Sequence, residues 1–114
     1  MAIARNFVIR EFLRVDGSSP HREWVDTLPS AARARIAARI ARFEAGNLGD
    51  AKQLGDGGWE ARFMFGPGYR LYFGVDRGVL ILLLTGGDKG SQRGDIQKAK
   101  RFWREYMEEI DDAT

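Results

Sequence analysis

Apolar and polar positions alternate along residues 59–75 with one interruption. Trp59, Ala61, Phe63 and Phe65 alternate with Glu60, Arg62 and Met64. After Gly66-Pro67-Gly68, Tyr69, Leu71, Phe73 and Val75 alternate with Arg70 and Tyr72. A period of two on both sides of a Gly-Pro-Gly turn predicts an antiparallel hairpin. A three-residue turn pairs Phe65 with Tyr69, which sets Arg62 opposite Tyr72 and Met64 opposite Arg70. Glu60, Arg62, Arg70 and Tyr72 then emerge together on one face, and the other, wholly apolar face meets the helices. Asp76-Arg77-Gly78 turns the chain again. Residues 79–84, all aliphatic, read as a strand covered on both faces and therefore interior to the sheet.

The period changes elsewhere. Over residues 4–13, Phe7, Ile9 and Leu13 mix with Arg5, Asn6 and Arg10 in an approximate alternation, predicting a first, half-covered strand. Pro20 suits the first position of a short helix capped by Ser19, with Trp24, Val25 and Leu28 as its apolar side and Pro29 closing it. From Ser30, Ile36, Ile40 and Phe43 take the i, i+4, i+7 spacing of a second helix that stops at Gly46-Asn47, and the two helices are expected to form a hairpin. Gly49-Asp50-Ala51-Lys52 reads as a loop leading into the strands. A last helix follows Ser91, its expected cap, and buries Ile96, Ala99, Trp103 and Tyr106.

Composition narrows the classes. The 114 residues are the size of one domain, taken as residues 1–114. No cysteine is present, which removes disulfides, thiolate nucleophiles and zinc–thiolate sites, and one histidine, His21, cannot supply an imidazole metal site. No apolar run spans a bilayer and residues 1–10 lack a signal-peptide core, so a cytoplasmic chain is expected. Eighteen Lys and Arg stand against sixteen Asp and Glu, but unevenly. Glu105, Glu108, Glu109, Asp111 and Asp112 crowd the end of the last helix, where carboxylates oppose its dipole, so residues 108–114 are expected to fray into an acidic tail.

Four groups of residues carry candidate chemistry. The face of Glu60, Arg62, Arg70 and Tyr72 is either a solvated surface with a cross-strand ion pair or a clamp for phosphate beside a stacking ring. Lys89, in Gly86-Gly87-Asp88-Lys89 before a helix, marks either a plain turn or a place where backbone N–H groups and a cation hold an anion. Lys52 is either a surface lysine or a cation able to reach across the sheet. Arg35, Arg39 and Arg42 line one flank of the second helix, either solvated or as a binding row. His21, at a helix start, reads as a capping or surface residue.

Together these segments resemble the RelE/ParE superfamily of toxins, nearest its HigB-like addiction-module-killer branch. The resemblance rests on Trp24-Val25-Asp26-Thr27-Leu28, Leu48-Gly49-Asp50-Ala51-Lys52, Trp59-Glu60-Ala61-Arg62, Phe65-Gly66-Pro67-Gly68-Tyr69-Arg70-Leu71-Tyr72-Phe73 and Gly86-Gly87-Asp88-Lys89, followed by Gln92, Asp95, Ile96 and Ala99. It implies an α+β, RelE-like fold: a small curled antiparallel-rich sheet, two N-terminal helices packed on it and a C-terminal helix. It implies the toxin of a type II toxin–antitoxin system, a ribosome-dependent, metal-independent mRNA endoribonuclease needing no cofactor, neutralised by an antitoxin of helix-turn-helix type. In such enzymes the 2′-hydroxyl attacks the adjacent phosphate. Arg62 and Arg70 would stabilise the phosphorane, Glu60 would act as general base, and Tyr72 would stack on a base or orient the 2′-hydroxyl. Lys52 and Lys89, joined by Arg35, Arg39 and Arg42, would contact RNA phosphates. The superfamily also implies two alternatives, a ParE-type poison of DNA gyrase and a non-catalytic relative that binds protein or nucleic acid.

Overall fold

A computed structural model describes residues 6–113. The elements run β1 (Val8–Glu11), α1 (Pro20–Asp26), α2 (Ser30–Glu44), β2 (Ala51–Gly55), β3 (Gly58–Arg62), β4 (Arg70–Asp76), β5 (Leu80–Gly87), a 3-10 turn (Lys89–Ser91) and α3 (Gln92–Ala113). The five strands lie in the order β1-β5-β4-β3-β2. Only β1 and β5 run parallel, and the other pairs are antiparallel. Ala4 and Arg5, assigned by alternation to the first strand, lie outside the described residues.

The two helical stripes build two cores. Val25 of α1, Leu28 of the link after it, and Ala32, Ile36 and Phe43 of α2 pack on Ala61, Leu71, Phe73, Ile81 and Leu83 on one side of the sheet. On the other side Ala99, Phe102 and Trp103 of α3 pack on Phe12, Tyr72, Leu82 and Leu84. The sheet is therefore covered on both faces, and the face expected to be solvent-facing is the floor of α3. The α1 and α2 helices pack mainly on β5 and β1 respectively, with Val25, Ala32 and Ile36 in one shared core. Ser19 caps α1 by accepting from the Arg22 amide, as its position predicts.

Two further expectations are corrected. The segment before the hairpin is an edge strand, so Lys52 sits on β2, opposite Glu60. The missed signal is Asp56-Gly57, whose backbones both take positive φ (55° and 88°), the two-residue turn that joins twisted strands. The β3–β4 register is displaced by two residues from that expected: Arg62 pairs with Arg70 and Glu60 with Tyr72, leaving a longer loop through Gly66-Pro67-Gly68. A shift of two preserves which side chains share a face, so the shared face itself was legible. The residues expected to fray are described as helix through Ala113. Arg10 and Arg14 line one groove with Glu105, Glu108, Glu109 and Asp112, while the ion pair of Arg14 is made with Glu23.

Contact between α3 and the sheet depends on Gly74. A Cβ at this position would collide with the six-membered ring of Trp103. Gly74→Ala is expected to lose about 1–3 kcal/mol of stability through overpacking, read as a lower urea midpoint at unchanged slope. A midpoint equal to wild type would show that α3 lifts from β4 without cost.

Candidate phosphate-binding site

Three strands and the start of α3 converge at one end of the sheet. The ladder sets Lys52 against Glu60, Glu60 against Tyr72, and Arg62 against Arg70, which is in turn paired with Gly87. Glu60 and Tyr72 are both 0% exposed, because α3 roofs this face. Glu60 Oε2 accepts from the Tyr72 hydroxyl at 3.1 Å and from Gln92 Nε2 at 2.8 Å. Its Oε1 makes no hydrogen bond but lies 3.8 Å from Lys52 Nζ, whose side chain is exposed. A buried carboxylate is costly unless donors and a cation meet it, and here two neutral donors hold one oxygen while a lysine covers the other. Burial, followed by the charge of Glu60 and the hydrogen bond to it, pushes the Tyr72 phenol far above its ordinary pKa, so it remains a neutral donor.

The cations differ in what occupies them. Arg62 Nη2 is 3.0 Å from Asp50 Oδ1, an exposed pair. Arg70 Nη1 donates to the carbonyls of Gly68 and Tyr69 at 3.2 and 3.3 Å, which holds the guanidinium along the loop. Neither Arg70 nor Lys89 has a carboxylate partner among the described residues. The two flank Gly68: a Cβ there would lie 3.4 Å from Lys89 Cβ and 3.6 Å from Arg70 Nη1. Paired arginines across a ladder repel, and this pair is only partly relieved by Asp50, so an anion between them would lower the electrostatic energy.

Several sequence-derived roles change in this setting. Tyr72 is enclosed and has no face on which a base could stack, and Glu60 has no surface through which to reach a 2′-hydroxyl. Both were expected to emerge from the sheet; the amphipathic stripe of α3 covers them instead. The turn amides after β5 are not free for an anion either. Asp88 Oδ1 accepts from Gly90 N at 2.8 Å and Ser91 N at 3.1 Å, so Asp88, not Ser91, caps this segment, and the Ser91 hydroxyl closes on Asp95. Only the lysine of that motif is left to bind.

The arginine row of α2 is partly spent in packing. Arg35 and Arg39 lie over the rings of Phe65 and Phe63, 4.5 and 4.4 Å from their centroids, while Arg42 lines the same groove. Arg39 also donates to the Arg62 carbonyl at 3.0 Å, bringing this row to the rim of the β3 end. Sequence reasoning gave Gln92 no part in the site, although it is the residue that ties α3 to Glu60. Among the described residues no group of three or more His, Cys, Asp and Glu is placed to hold a metal, and no helix is long and apolar enough to cross a membrane.

Comparison with known proteins follows the same lines. No family model matches the sequence. In structure the chain is similar to a chain of the toxin–antitoxin complex RelBE2 from Mycobacterium tuberculosis, with a TM-score of 0.56 and 19% identity over 74% of this chain and 99% of that one. That likeness bears on the fold, which is α+β and RelE-like. In sequence it is 46% identical over 83 residues to an uncharacterized protein of Haemophilus influenzae, spanning 72% of this chain and 84% of that protein. At that identity and coverage, the chain belongs to the same family as the Haemophilus influenzae protein.

Proposed function

We propose that this protein is the toxin of a type II toxin–antitoxin pair, of the HigB-like kind, and that it cleaves mRNA on the ribosome until an antitoxin binds it. The observation that carries the reading is the cluster of Lys52, Arg62, Arg70 and Lys89 at one end of a RelE-like sheet, in which Arg70 and Lys89 have no carboxylate partner among the described residues. In the proposed reaction the 2′-hydroxyl gives its proton to water as its oxygen bonds to the adjacent phosphorus, the bond to the 5′-oxygen breaks and that oxygen takes a proton from water, and a cyclic phosphate and a 5′-hydroxyl remain. Negative charge builds on the non-bridging oxygens, where donors held in place beforehand act most strongly. Arg70, held by two carbonyls, is the principal such donor, with Arg62 beside it. Lys89 and Lys52 hold the neighbouring phosphates. Glu60 serves by holding Lys52, through a carboxylate that Tyr72 and Gln92 orient. Positioning, with the ribosome ordering the RNA, then carries the rate more than proton transfer does.

The test is growth under induced expression of wild type and of the Arg62→Ala, Arg70→Ala variant, with mRNA ends mapped in the same cultures. New 5′ ends within translated frames, absent from the variant, are the expected result. Arrest without such ends would replace this reading by gyrase poisoning, and no arrest would leave a binding module. An antitoxin of helix-turn-helix type is the proposed partner, and its capture by the double variant distinguishes lost chemistry from lost folding.

A further inference from the structure

The charges of α3 are segregated along its length. The cations of α3, Arg93, Lys98, Lys100, Arg101 and Arg104, all precede Glu105 with Asp95 the one acid among them, and acids alone follow from Glu105. This order opposes the helix dipole, which favours acids at the start and bases at the end, so helix stability does not account for it. The acidic half shares a groove with Arg10 and Arg14, of which Arg14 is ion-paired with Glu23. In the basic half, Arg93, Lys100 and Arg104 have no carboxylate partner among the described residues. These three, with Gln92, Ile96 and Gln97, line an open groove along α3, all of whose lining residues belong to that one helix. Gln92 is also the residue bonded to Glu60, so the groove begins at the candidate site.

We propose that this groove is a second RNA contact, which holds the phosphate backbone of a double-helical RNA segment while the sheet end engages the strand to be cut. It deepens the RNA-directed reading above and rests on it. Two features select a duplex. The cations follow a rigid helix over about 16 Å, a straight track suited to a stiff backbone. The groove lining contains no aromatic ring, and binding of single strands relies on such rings for stacking. Gln97 adds a neutral donor for phosphate or ribose oxygens.

The test compares wild type with the Arg93→Gln, Lys100→Gln, Arg104→Gln variant, full chain in both cases, using a labelled RNA duplex and a single strand of equal length. Loss of three phosphate contacts is expected to flatten the slope of log affinity against log salt by about 2 to 3 on the duplex, with little change on the single strand. Equal slopes on the duplex would overturn the proposal, as would an effect confined to the single strand. Lost capture of the antitoxin with RNA binding intact would assign the groove to a protein partner instead. Matching circular dichroism and melting of the two chains excludes a folding loss. The two readings separate: if Arg70→Ala abolishes cleavage while the triple variant keeps the duplex slope, only the groove assignment fails. If wild type cuts nothing yet loses duplex binding in the triple variant, the groove stands and the nuclease reading falls.

Discussion

Arg70→Ala is expected to slow mRNA cleavage on ribosomes about 10²- to 10³-fold, the usual cost of removing one donor that meets developing oxyanion charge. Arg70 is preferred to Arg62 because its guanidinium is bound to the Gly68 and Tyr69 carbonyls and is not neutralised by any carboxylate among the described residues. Arg62 shares its charge with Asp50, so Arg62→Ala is expected to have the smaller effect. Arg70→Lys should restore little, since an ammonium cannot reproduce the two-pronged fork. Single-turnover cleavage of a ribosome-bound message, with antitoxin capture as the folding control, makes the measurement. Cleavage unchanged by Arg70→Ala would place the chemistry away from the hairpin.

Lowering the pH from 7 toward 4 is expected to remove about 3 kcal/mol of stability through His21 alone. The ring is 2% exposed, its Nδ1 has no hydrogen-bond partner, and it borders a groove lined by Ile9, Val25, Ile36 and Leu83. Burial lowers its pKa from 6.5 to about 4, with nearby Glu11 opposing and Arg22 reinforcing the shift. The folded protein thus binds the proton less readily than the unfolded chain, so the stability is complete above pH 6.5 and is lost as the pH falls toward 4. Urea unfolding across this window should show a falling midpoint in wild type and a flatter profile in His21→Phe. A flat wild-type profile would mean that the imidazole reaches water or a partner in solution. The sequence position at a helix start suggested a surface or capping residue; packing of α1 on β5 buries it instead.

The sequence by itself determined the elements other than β2, and the pairing of residues with faces. Period two in residues 59–75, the aliphatic run at 79–84 and the stripe of Ile96, Ala99, Trp103 and Tyr106 are local signals, and each corresponds to a strand or helix in the fold. Local pattern also placed Glu60, Arg62, Arg70 and Tyr72 on one side, because side-chain parity survives a register change of two. Tertiary structure alone decided which of these residues meet solvent. Glu60 and Tyr72 are polar at alternating positions like any exposed pair, and only the arrival of Gln92, 32 residues beyond Glu60, shows that they are roofed and satisfied from α3. The same holds for charge. Sequence counts cations, but whether one is free depends on partners brought from afar: Asp50 to Arg62, Phe63 to Arg39, and none among the described residues to Arg70 or Lys89. Backbone preference and hydrophobic period act over a few residues, whereas desolvation and ion pairing are set by the packing of distant segments, and these decide the chemistry of the site.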